Sequence, residues 1–318
     1  MMRRPLMSLG AAGSVLALAA CGGDGGGGAE GEMQDVTVGV IPIVDTAAIW
    51  LGEEQGFFEE EGINLDIQTT TGGAAAVPGV VSGDFDFAFG NTLSVMVAQD
   101  EGLDIRFVTN GTTTSGDAER DFSAVVVPAD SDIQGPEDLA GKTVSVNNLN
   151  NIGDTTIRHV VEQAGGDPDS IEFVEVGFPD APAALDRGQV DAAWILDPFL
   201  TQVLDEGARA VSYNFVEFDP ELDIAGYFTT AQRIEEDPEL VESFQNAMNR
   251  SLEYANENPD EVREIVGTYT EISDELREKM ALPRYRTEFD RESFQKLGSA
   301  AVEYGSLNNE PDLDRLLP

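Results

Sequence analysis

Only one cysteine, Cys21, occurs in the 318 residues, so no disulfide can form within the chain and no thiolate metal cluster can be built from it. Histidine is equally scarce, with His159 alone in a stretch that reads as helix. There are three lysines, Lys142, Lys279 and Lys296, and Lys plus Arg total 18 against 60 Asp plus Glu, a formal charge of -42. The acidity is spread along the chain, which argues against binding nucleic acid or an anionic membrane by charge. No nucleophile elbow or Walker phosphate loop is present. Nothing after the first twenty residues reads as a transmembrane span or a separate output domain.

What is present is a globular composition, 41% hydrophobic, in a chain long enough for two domains with their own cores. The large acid excess suggests a protein built for high salt, where screening relieves self-repulsion. Arg3-Arg4 followed by the apolar run Leu6 to Ala20 reads as a targeting segment, too short for a comfortable membrane span. Leu18-Ala19-Ala20-Cys21 resembles the bacterial lipobox. Residues 1–20 are therefore expected to be a signal peptide removed before Cys21, and Cys21 to carry the lipid. Residues 21–34, mostly Gly and acid, would be a flexible tether holding a body outside the cell membrane. The two arginines loosely resemble a twin-arginine signal, which leaves the export route open between that and the general one.

Two stretches repeat each other. Ser82-Gly83-Asp84-Phe85-Asp86-Phe87-Ala88-Phe89-Gly90 aligns with Arg187-Gly188-Gln189-Val190-Asp191-Ala192-Ala193-Trp194-Ile195. The alignment matches Gly83 to Gly188, Asp86 to Asp191, Ala88 to Ala193 and Phe89 to Trp194. Each copy reads as a helix end, a Gly suited to a left-handed cap, then a short strand buried on both faces. Two copies at one offset predict two similar α/β lobes. Ligands of such sheets bind beyond the carboxyl ends of the strands. Strands are expected at 36–41, 63–69, 84–89, 105–109, 122–127, 143–146, 171–176, 190–196 and 224–230, with helices between them and a mainly helical chain from Pro238 on.

The order of parts resembles a known family. Trp50-Leu51-Gly52-Glu53-Glu54-Gln55-Gly56-Phe57-Phe58-Glu59-Glu60-Glu61-Gly62, Gly83-Asp84-Phe85-Asp86, Asp138-Leu139-Ala140-Gly141-Lys142-Thr143-Val144 and Gly188-Gln189-Val190-Asp191-Ala192 are similar to stretches of substrate-binding proteins of ABC importers. The subgroup is the one for nitrate, taurine, alkanesulfonates and the thiamine pyrimidine precursor. The resemblance implies an α/β, two-lobed periplasmic-binding-protein type II fold. Each lobe would be a mostly parallel sheet flanked by helices, with extra C-terminal helices. Lobe 1 is expected at 35–127, lobe 2 at 128–214, and a return to lobe 1 with C-terminal helices at 215–318. The implied partners are a small-molecule ligand and the permease and ATPase of an importer, with the binding protein a monomer and no cofactor.

The strand-end rule then selects candidate ligand residues: Asp45, Thr46, Gly72, Gly73, Asn91 and Thr92 from lobe 1, and Asn151, Gly153, Asp154, Phe178, Trp194 and Asp197 from lobe 2, with Tyr227 on the returning strand. Gly72-Gly73 can present free N–H groups to an anion or form a plain turn. Thr46, Asn91, Thr92 and Asp180 fit helix capping equally well. Trp194, Phe178 and Tyr227 suit either the cleft or the core. In taurine-type members an acidic residue in a stretch similar to Trp194-Ile195-Leu196-Asp197-Pro198 pairs with the ligand amine, which by resemblance gives Asp197 that role. Few cations adjoin these loops: Arg158 lies on a helix and Arg106 begins a strand. The leading expectation is capture of a taurine- or sulfonate-like solute. The alternatives are a thiamine pyrimidine precursor or other heteroaromatic, and a sensory binding module. A more distant one is an enzyme similar to the fungal thiamine-pyrimidine synthase, whose His, Lys and Cys-rich iron site are poorly matched by one His and a lone lipobox Cys.

Overall fold

The structure is a computed structural model that describes residues 33–318. The expected signal peptide, the Cys21 anchor and most of the tether lie outside the described residues. Eleven strands appear among them: β1 Gln34–Val40, β2 Ile63–Thr69, β3 Phe87–Asn91, β4 Ile105–Thr113, β5 Ser123–Val127, β6 Thr143–Val146, β7 Glu172–Glu175, β8 Ala192–Leu196, β9 Arg209–Ser212, β10 Asp223–Thr230 and β11 Arg284–Tyr285. They form a six-stranded sheet, β11-β4-β10-β3-β1-β2, and a five-stranded sheet, β7-β6-β8-β5-β9. The chain passes between the sheets twice, through residues 114–122 and 213–222.

Each sheet is mixed. β1 pairs in parallel with β2 and β3, and β6 with β7 and β8. β10 enters antiparallel between β3 and β4, and β5 antiparallel between β8 and β9. One placement differs from the sequence expectation, and two strands are additional to it. Ser123–Val127, grouped there with lobe 1, belongs to the five-stranded sheet, because it pairs with β8 after the crossing. β9 and β11 have no sequence signal. β9 is a half-buried four-residue edge strand, and β11 has two residues only.

The repeated stretches occupy matching places. Gly83 and Gly188 both have positive φ, 82° and 62°, the conformation that favours glycine. Three residues on, Asp86 accepts a hydrogen bond from Thr37 N–H and Asp191 one from Thr143 N–H, each at 2.9 Å. Their own N–H groups donate back to Thr37 and Thr143 oxygens, again at 2.9 Å. Each aspartate thus fixes the start of a strand against its parallel neighbour. Ala88 then falls opposite Gly39, and Ala193 opposite Ser145.

Helices cover both sheets. The 20-residue Pro238–Glu257 helix turns one apolar face inward, with Leu240, Phe244, Ala247, Met248 and Leu252 buried. Phe244 stacks on Phe87 of β3 at 3.9 Å. No helix of the described residues is long and apolar enough to cross a membrane.

Candidate functional site

The carboxyl ends of β1, β3, β6 and β8 converge on a narrow cavity between the two sheets, of about 30 Å3, so that its walls stand close together. Its walls are apolar and aromatic: Phe89 and Ile224 on one side, Phe178, Trp194 and Phe215 on the other. Phe178 and Phe215 both meet the Trp194 ring edge to face, at 5.1 and 5.5 Å. A Cβ on Gly153 would come within 2.5 Å of that ring, so only glycine lets the indole lie against the Ile152–Gln163 helix. The indole N–H donates to Ser123 Oγ at 2.8 Å. Ser123 donates to Asn214 Oδ1, whose Nδ2 donates to Thr156 Oγ1. With its N–H held in this chain of bonds, Trp194 offers the cavity only apolar ring.

Gly73 and Gly90 form part of the opposite wall. A Cβ on Gly73 would stand 2.8 Å from Gly90 Cα, so the two meet main chain to main chain. The Gly73–Ser82 helix starts there; the N–H groups of Ala75 and Ala76 donate to Gly72 O, which leaves those of Gly73 and Ala74 outside the helix's own bonding. The other polar groups are Asn91, Asn147 and Asp45. Asn91 caps its own helix through Ser94 N–H at 2.8 Å.

Asp45 is the one carboxyl in the lining and is 2% exposed. Its Oδ1 accepts from Thr112 Oγ1 at 3.3 Å, and its buried Oδ2 has no partner. Burial pushes this carboxyl up to about 7. Among the described residues, no Lys or Arg lines the cavity. A broader depression of about 670 Å3 adjoins the same strand ends through Pro42, Pro179 and Pro198, but its acids, Asp186, Glu206 and Glu271, are exposed. The aromatic cavity has the more specific chemistry.

Of the residues expected from sequence, Asp45, Gly72, Gly73, Asn91, Phe178 and Trp194 line the cavity. The others do not, for local reasons. Thr46 Oγ1 donates to the oxygens of Ile41 and Ile43, and Thr92 Oγ1 to that of Asp223. Asn151 and Asp154 form the two halves of a capping box on the Ile152–Gln163 helix. Gly153 lies behind Trp194. Tyr227 packs edge-on to Phe89 at 5.2 Å, inside the core. Asp197 is 1% exposed, and both its oxygens accept main-chain N–H groups, from Thr201 and Ala281. Its carboxylate is turned to these main-chain groups, and Asp197 does not line this cavity. Asn147, Phe215, Ile224 and Ala225 line the cavity without having been picked from sequence. Asn147 directly follows β6, whose end at Val146 is the one expected from sequence, so the strand-end rule reaches it, although the residues selected there lie further along the loop. Phe215 and Ile224 stand on the second crossing and the returning strand, where no motif marks them. His159 packs its ring against Phe218 at 4.8 Å, outside the lining, with its pKa lowered by burial and then by Lys296.

A profile described as NMT1/THI5 like matches residues 44–262, more than half of the chain. The chain belongs to the NMT1/THI5-like family. It is 26% identical over 242 residues to a formylaminopyrimidine-binding protein of Halalkalibacterium halodurans, covering 74% of this chain and 70% of that one. The fold is similar to that of the alkanesulfonate-binding protein of Xanthomonas axonopodis pv. citri bound to MOPS, with a TM-score of 0.72, 15% identity and coverage of 89% and 95%. It is also similar to the periplasmic nitrate-binding protein of Synechocystis, with a TM-score of 0.76, 13% identity and coverage of 90% and 86%. This family member folds as a periplasmic solute-binding protein of the ABC-importer type.

Proposed function

We propose that this family member is the extracytoplasmic solute-capturing component of an ABC importer. Its ligand is a small, flat heteroaromatic molecule bearing an N–H donor, a pyrimidine being the simplest fit. The observation that carries this reading is the pairing of an aromatic wall with one buried carboxyl whose second oxygen is unpartnered, in a lining without cations. A ring stacks on Trp194 and Phe178, and its N–H satisfies Asp45 Oδ2. The name of the relative from Halalkalibacterium halodurans points the same way. Release to a permease and retention at the membrane through Cys21 belong to the same proposal. No covalent step is needed.

A sulfonate-bearing amine is the second reading. It is favoured by the N–H groups at the start of the Gly73–Ser82 helix, which can face an anion while Asp45 meets the amine. The absence of a cation and the extent of aromatic wall rank it below the pyrimidine.

Isothermal titration of the protein with formylaminopyrimidine, taurine and nitrate separates the readings. Tight binding of formylaminopyrimidine alone is the expected result. Taurine alone would establish the second reading, and binding of nitrate in preference to both would overturn both. Asp45→Asn removes the charge and should weaken formylaminopyrimidine by about 1.5–3 kcal/mol, roughly 10- to 150-fold. Unchanged affinity would remove Asp45 from the site.

A further inference from the structure

Asp197 joins more segments than any ligand role requires. Its N–H donates to Phe122 O at 2.8 Å, beside the first crossing. Its main-chain oxygen accepts from Val44 N–H at 3.1 Å. Oδ1 accepts from Thr201 N–H and Oδ2 from Ala281 N–H, both at 2.9 Å. Phe122 and Thr201 adjoin the five-stranded sheet, whereas Val44 follows β1 and Ala281 precedes β11 of the six-stranded sheet. One buried residue at the end of β8 therefore bonds to two separate segments of the opposite sheet. Val44 is the immediate neighbour of Asp45, and Leu196, just before Asp197, lines the cavity.

A carboxylate suits this place because it accepts on both oxygens, in opposite directions. An asparagine has one acceptor oxygen, and its amide would confront one of the two N–H groups. Near Asp197 an exposed pair, Lys279–Asp205 at 2.7 Å, joins the Phe199–Asp205 helix, which holds Thr201, to the stretch before Ala281. It is solvated and contributes little.

We propose that Asp197 is a positioning residue: a buried hydrogen-bonded link between the sheets, beside others such as Ser94–Asn151 and Thr155–Ser306, that holds Asp45 opposite the Trp194 wall. Its effect on affinity rests on the binding reading above, but the link itself is tested without ligand. Residue-resolved amide hydrogen exchange is measured on the full chain for the wild type, Asp197→Asn and Asp205→Asn. In Asp197→Asn the amides of Val44 and Ala281 exchange together, roughly tenfold faster or more, while Val38 at the centre of β1 is unchanged. Acceleration confined to Thr201 and Ala281 would reduce Asp197 to a local cap and overturn the proposal. An equal acceleration in Asp205→Asn would overturn it too, by assigning the link to the exposed pair. If Asp197→Asn does not fold, the wild type still decides. Val44 and Ala281 exchange with opening constants within roughly threefold of each other if one link protects both, and a difference above roughly tenfold sinks it. Titration with formylaminopyrimidine then shows weaker binding in Asp197→Asn with Asp45 intact. A wild type that ignores formylaminopyrimidine fails the pyrimidine reading and leaves the exchange result standing.

Discussion

Asp45 is a carboxyl held away from water with one oxygen unpartnered, and its pH behaviour follows from that. Burial raises it from 3.8 to about 7 in the folded chain, so the folded state binds the proton more tightly than the unfolded one. Its stabilising contribution is full below the unfolded value and is lost as pH rises to about 7. The thermal midpoint of the ligand-free protein should therefore fall between pH 5 and pH 8, and the fall should be smaller in Asp45→Asn. An N–H donor favours the ionised carboxylate, so affinity for formylaminopyrimidine should rise between pH 6 and pH 8, with the slope absent in Asp45→Asn. Gly153 makes the complementary case for shape. Gly153→Ala puts a methyl into the Trp194 ring and should cost roughly 1–3 kcal/mol, read as a lowered urea midpoint. The strand-end rule reaches Asp45 and Trp194, which line the cavity, because it locates loops. It also selects Asp197 and Thr46, which bond within the protein and do not line the cavity, because capping and ligand contact draw on the same polar residues at the same loop positions, and only the third dimension shows which donors are near.

Among the elements, the repeated strand starts show most clearly what was legible in the chain. Gly83 and Gly188, with Asp86 and Asp191 three residues on, announce two like units, since a left-handed cap and a carboxylate that grips the neighbouring strand both require particular residue types. The antiparallel entry of β5 and β10 was not legible. A strand buried on both faces reads the same in either direction, and direction is set by the crossings. The two aspartates are not equal in weight. Asp86 is partly buried and also pairs with Arg233, whereas Asp191 is exposed. Asp86→Asn should accordingly destabilise the fold more than Asp191→Asn, by about 1–3 kcal/mol against less than about 1, measured by urea denaturation of the two variants.

For the molecule as a whole, the charge of -42 sets the solution behaviour. Self-repulsion between carboxylates falls as the Debye length shrinks from about 10 Å in 0.1 M salt to about 3 Å in 1 M. The thermal midpoint should rise over that range, and a fall would show that exposed ion pairs such as Arg284–Glu221 outweigh the repulsion. The cavity itself stands apart from this surface, with its one carboxyl buried and its walls uncharged. Where Gly73 and Gly90 touch, the wall presents backbone and no side chain. Mutation can obstruct that wall but cannot re-aim it. Under the proposed reading, drift toward a new ligand runs through the facing side chains, Phe178, Trp194 and Phe215, and through Asp45, one residue at a time.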